Sequence, residues 1–173
     1  QPVAVVPANT AIPLQPDPIM EMNHMIGVSG EIRGGVRWSA DSSSIVFASS
    51  STLVVMGAET HQQRFLLGHT APISHITLCG DKNFMASTQE GKNPVVRVWA
   101  MPSGRCVAVL QGHARDMEAI TMSHDGSMVA GVGKDNHGRT LIVVWDVKAL
   151  HTKSGSADVG VHPDVILARS TTE

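Results

Sequence analysis

The segment GVGKDNHGRT, Gly131 to Thr140, sets a lysine, an acid, a histidine and an arginine among three glycines. Side chains of these types could hold a phosphate, relay a proton or bind a metal. A phosphate loop needs GxxxxGK followed by Ser or Thr at a strand-to-helix junction. Here Met128 stands where the first glycine is required, Asp135 follows Gly133-Lys134, and an apolar run follows the loop. Phosphate binding is therefore not expected. The nine histidines are scattered without an HxH, HExxH or Cys/His cluster, so no metal or other cofactor is expected. The serine-rich stretch SADSSSIVFASSSTL lacks a GxSxG elbow, and hydroxyls at alternating strand positions face solvent or neighbouring strands, so no nucleophile is assigned and no small-molecule substrate is expected.

The elements that carry these residues are short. Five prolines before residue 20 disfavour helix and central strand, so residues 1–30 read as an extended arm or linker. From Gly34 onward, apolar runs alternate with Gly, Ser, Asp and Asn clusters at about ten-residue spacing, the pattern of a short-stranded all-β domain. Two stretches repeat: LLGHTAPISHITL from Leu66 and LQGHARDMEAITM from Leu110, with Gly68-His69 and Gly112-His113 44 residues apart. Each is followed by a strand, a polar turn, a second strand, a glycine-containing loop and a strand ending in Trp99 or Trp145. A weaker copy upstream runs through Gly35–Trp38, Ile45–Ala48, Leu53–Met56 and Arg64–Leu67, without the Gly-His opener. Near the end, Val165 to Ala168 suits an outer strand that completes the last copy. A period near 44 residues marks stacked four-stranded units.

Gly-His opening a unit and Trp-Asp closing it resembles the WD-repeat family. That resemblance implies an all-β, partial β-propeller of about three blades: a degenerate one at 31–67, then 68–111 and 112–169, with 170–173 as a tail or the start of another repeat. Three blades cannot close a ring, so the chain is expected to be a piece of a larger propeller. The resemblance also implies a buried polar network in each good blade. The third would use His113, Asp135 and Trp145. The second would use His69, Thr88 and Trp99, with Glu90 in place of the family's Asp, and Glu90 could equally face solvent. Met85, Met122 and Met128 are expected to fill gaps between blades.

The loops STQEGKNPVVRVW and GVGKDNHGRTLIVVW, with IGVSG and QRFLLGHT, resemble pieces of WD-repeat proteins of centriolar and ciliary microtubule walls, and more distantly the echinoderm microtubule-associated protein-like family. That implies a non-enzymatic scaffold in the cytoplasmic cytoskeleton, at a centriole, basal body or axoneme, with tubulin or other wall proteins as partners. The alternative is a general propeller adaptor, such as a ubiquitin-ligase substrate receptor or trafficking scaffold. Strand faces are consumed by packing, so partner contacts are expected on loops: Lys92 and Asn93 on one blade, Lys134, Asn136, His137 and Arg139 on the next.

Net charge −2 and a pI near 6.5 supply no electrostatic drive toward nucleic acid, anionic membrane or an acidic polymer surface. No apolar run approaches the roughly 20 residues of a membrane helix, and no signal-peptide pattern opens the chain. Cys79 and Cys106 lack CxxC spacing and are expected to be reduced, as in an intracellular compartment.

Overall fold

The computed structural model describes residues 21–148, apart from 33 and 82, and residues 166–172. These residues form twelve strands in three antiparallel sheets, each with its strands adjacent in chain order. The first sheet comprises β1 (Val36–Trp38), β2 (Ser44–Ser49), β3 (Thr52–Gly57) and β4 (Gln63–Leu66). The second comprises β5 (Ile73–Leu78), β6 (Phe84–Gln89), β7 (Val96–Ala100) and β8 (Arg105–Leu110). The third comprises β9 (Arg115–Met122), β10 (Met128–Lys134), β11 (Thr140–Asp146) and β12 (Ile166–Thr172). These are the three expected blades. The last strand pairs with β11 from Trp145 to Thr140 and continues past the boundary expected at 169.

The first strands of consecutive sheets meet, β1 with β5 and β5 with β9, so one edge of each sheet gathers on a common side. Apolar faces fill the gaps between sheets. Val46, Ala48, Leu53 and Leu66 of the first sheet pack with Ile73, Ile76, Met85 and Trp99 of the second. The second sheet's other face, Ala86, Val96, Val98 and Leu110, packs with Met117, Val129, Leu141, Val143 and Trp145 of the third. Being covered on both sides, β6 is buried from Met85 through Gln89 and shows no polar–apolar alternation. Met85 and Met122 lie in these cores as expected, whereas Met128 begins β10 beside the turn and is 44% exposed.

One local device recurs in every sheet. At the turn after the first strand, Ser39, Cys79 and Ser123 each donate to the carboxylate two residues on, Asp41 (2.6 Å), Asp81 (2.7 Å) and Asp125 (2.7 Å). The same hydroxyl or thiol accepts the backbone N–H five residues ahead, from Ser44, Phe84 and Met128. The Asp oxygen also takes an N–H from Ser43, Asn83 or Ser127, each at 3.1 Å. In the first and third sheets the residue after the Asp turns left-handed, with φ 58° at Ser42 and 72° at Gly126. A short polar side chain thus substitutes for the ladder bonds that a tight turn cannot make.

Candidate functional site

Two kinds of polar constellation were expected: buried networks that hold blades together, and loops that could meet partners. In the second sheet the buried network is complete. The Trp99 indole N–H donates to the Ser87 hydroxyl at 2.9 Å, and Ser87 lies 2.7 Å from Nε2 of His69. Nδ1 of His69 faces Gln89 Oε1 at 2.9 Å, and Gln89 Nε2 donates to Thr70 Oγ1. Since Ser87 already accepts from Trp99, its own proton goes to Nε2, and Nδ1 carries the ring proton toward Gln89. Burial pulls the His69 pKa down to about 4, against the Gln89 bond that raises it and with Arg97 nearby lowering it further.

The partners expected for His69, Thr88 and Glu90, are corrected to Ser87 and Gln89. Adjacent strand residues point to opposite faces, so an alignment one residue out selects the wrong pair. Thr88 faces the third sheet, with its hydroxyl buried and unbonded, and Glu90 is exposed.

In the third sheet, Asp135 does not join His113 and Trp145. His113 Nε2 donates to the Leu141 carbonyl (2.9 Å) and Trp145 to the Gln111 carbonyl (3.3 Å). Register explains why. Met85 pairs with Trp99 and Val129 with Trp145, so Gly131 and Gly133 occupy the places of Ser87 and Gln89. A Cβ on Gly131 would fall 2.5 Å from the Met117 methyl and 3.0 Å from Trp145; one on Gly133 would fall 2.9 Å from the His113 ring. The two rings pack edge-on, with centroids 5.8 Å apart, where the second sheet has a hydroxyl and an amide. Close packing replaces the polar network.

Asp135 instead closes its own loop. Its carboxylate accepts the backbone N–H of His137 (2.8 Å) and Arg139 (2.9 Å) and pairs with the Arg139 guanidinium at 2.8 Å. Desolvation works to raise the Asp135 pKa, but the Arg139 and His137 donors outweigh it and hold the carboxyl below its usual range. Lys134 is likewise engaged, with Glu118 (3.0 Å) and Thr140 Oγ1 (3.0 Å). On the neighbouring sheet, the loop bearing Lys92 and Asn93 is tied to the start of β9: Gly91 N–H donates to Asp116 (2.8 Å) and Asn93 N–H to the Ala114 carbonyl (3.0 Å). Asn93 adopts φ 50° and Gly91 φ 101° to make that bend.

Of the expected contact residues, Lys92, Asn93, Asn136, His137 and Arg139 are exposed on loops at equivalent places in adjacent sheets, whereas Lys134 is half-buried and ion-paired. Beside them opens a cleft of about 760 Å³, lined by Glu31, His75, Glu90 and Asp116 over Ile32 and Met117. No signal in the sequence located that cleft, because its walls come from segments far apart in the chain. Among the described residues no group of three His, Cys, Asp or Glu is placed to hold a metal ion, and no helix is long and apolar enough to cross a membrane.

The WD domain, G-beta repeat model matches residues 60–100 and 104–139, which span the second sheet and the first half of the third. The chain belongs to the WD-repeat family. It is 35% identical over 154 residues to WD repeat-containing protein 90 of Xenopus tropicalis, covering 88% of this chain and 8% of that protein. It is 34% identical over 158 residues to Centriole proteome protein 16 of Chlamydomonas reinhardtii, covering 84% and 8%. Among solved structures, the RRP9 WD40 repeats align with a TM-score of 0.58 at 16% identity, over 66% of this chain and 35% of that one, a likeness of fold alone. The chain thus spans about 8% of the length of these two curated relatives.

Proposed function

We propose that this chain is part of a non-enzymatic scaffold of centriolar or ciliary microtubules, and that its three blades belong to a larger ring that binds tubulin or other wall proteins. The observation that carries this reading is the 34% identity to Centriole proteome protein 16, spread over 84% of the chain rather than confined to the repeat signatures. The structure adds a physical reason for protein partners. Strand faces are used between blades, while Lys92, Asn93, Asn136, His137 and Arg139 present a mixed polar surface on hydrogen-bonded loops, suited to a protein rather than a polyanion. Binding through this rim stays with the loops even though Lys134 is engaged internally. Tagged full-length protein is expected on centrioles or axonemes, retained after detergent extraction. A diffuse, fully extractable pool would instead favour a soluble adaptor.

A further inference from the structure

Three carboxylates from distant parts of the chain converge on one groove. Glu31 precedes β1, Glu90 follows β6 and Asp116 lies near the start of β9, so each sheet contributes one acid to the wall of the 760 Å³ cleft. Its floor is apolar, with Ile32 on the side of the first sheet and the buried Met117 on the side of the third. Among the described residues that line it there is no lysine or arginine. His75, also in the wall, adds no positive charge at pH 7: burial lowers its pKa, and the bond to the Glu118 backbone only partly opposes that.

Backbone hydrogen bonds hold the walls in place. Glu90 N–H donates to the Pro72 carbonyl and Ile73 N–H to the Ser50 carbonyl of the first sheet, each at 2.9 Å. Gly91 N–H donates to Asp116 at 2.8 Å. The turn that carries Glu31 is tied to β2 by Ser29 N–H, which donates to the Ala48 carbonyl at 2.9 Å. The groove is therefore formed in advance, and its volume falls in the range of about 300 to 1,000 Å³ that binding sites occupy.

Like charges gathered around an apolar floor repel one another, and a cation set between them offsets that repulsion. The carboxylates are not placed to hold a metal ion. A lysine or arginine side chain matches both features, since its aliphatic stem packs on apolar groups while its head stays among acids. The groove crosses all three sheets, a span that suits a length of extended chain rather than a side chain alone.

We propose that this cleft docks a basic, extended segment of a partner protein, seating one lysine or arginine head between Glu31, Glu90 and Asp116 with its stem on Ile32 and Met117. The inference supplies a partner chemistry that the scaffold reading leaves open, and it stands on the cleft whether or not that reading holds.

The test uses purified full-length protein and a photo-reactive peptide, Ala-Leu-Arg-Leu-Ala with a diazirine on one leucine, with cross-links mapped by mass spectrometry. Cross-links are expected at 71–75, 90–91 and 116–117, about tenfold weaker for the peptide with citrulline, which keeps the shape and lacks the charge, and weaker again with glutamate. Glu31→Gln with Glu90→Gln is expected to cut labelling by about tenfold and to leave the unfolding midpoint unchanged, because both side chains are exposed. Asp116 is kept, since it also holds Gly91. Raising the salt concentration is expected to weaken labelling of the unaltered protein, a readout that needs no variant. Equal labelling by the citrulline peptide, indifference to salt, or cross-links outside the cleft would overturn the proposal. Labelling of the cleft by a protein that is absent from centrioles and axonemes would end the scaffold reading and uphold this one.

Discussion

The indole N–H of Trp99 donates to the Ser87 hydroxyl at 2.9 Å, linking the third strand of the second sheet to the second strand beneath the buried His69 ring. Ser87→Ala leaves the indole N–H and Nε2 of His69 without their shared partner, at a cost of about 1 to 3 kcal/mol. Combined with His69→Ala, the loss is expected to fall short of the sum of the single effects, because both act on one network. Urea unfolding of the two single variants and the double variant checks this, and strict additivity would exclude the coupling.

The third sheet should respond oppositely. Gly131→Ser introduces the hydroxyl that the second sheet uses, but its Cβ meets Met117 and Trp145, so it should destabilise by roughly 1 to 3 kcal/mol through overpacking. His113→Ala and Asp135→Ala should be additive, since the two side chains have separate partners. Thermal unfolding of these variants separates packing from a polar network.

Acid should weaken the fold through its buried histidines. With a folded pKa of about 4 against 6.5 when unfolded, His69 binds its proton more readily in the unfolded chain. Its contribution is fully present above pH 6.5, declines as pH falls toward 4, and amounts to something on the order of 3 kcal/mol. Burial also lowers the pKa of His75 and His113, so both act in the same direction. His69→Gln should flatten part of the slope in denaturant midpoints measured between pH 7 and 4; an unchanged slope would mean that His69 is not the dominant group.

The rim variants separate contact from stability. Lys92→Glu with His137→Glu alters two exposed loop side chains and should change stability by no more than about 0.5 kcal/mol while reducing retention on isolated centrioles or axonemes. Lys134→Ala removes a partly exposed ion pair with Glu118 and should cost less than about 1 kcal/mol.

Strand content was legible because Gly-His, Trp and the polar turns mark the second and third copies, while the first sheet, without the Gly-His opener, follows from its apolar runs and polar turn. Side-chain facing was not. A loop of uncertain length after Gln89 hides which residues of β6 face His69, and a one-residue slip exchanges Ser87 and Gln89 for Thr88 and Glu90. Asp135 misled for a related reason: its residue type fits a buried network, yet Gly138 and Arg139 let the loop fold back on it. The spacing of Ser39, Cys79 and Ser123 was present in the sequence throughout, but a cysteine among serines disguised the repeat until the bonds to Asp41, Asp81 and Asp125 showed its common role.

The most direct test of the scaffold reading is cross-linking mass spectrometry on intact isolated centrioles or axonemes, following Lys92 on its exposed loop. Cross-links from Lys92 to tubulin or to another protein of the microtubule wall are the expected result. Absence of the protein from the isolated structures, or cross-links confined to its own chain, would contradict it.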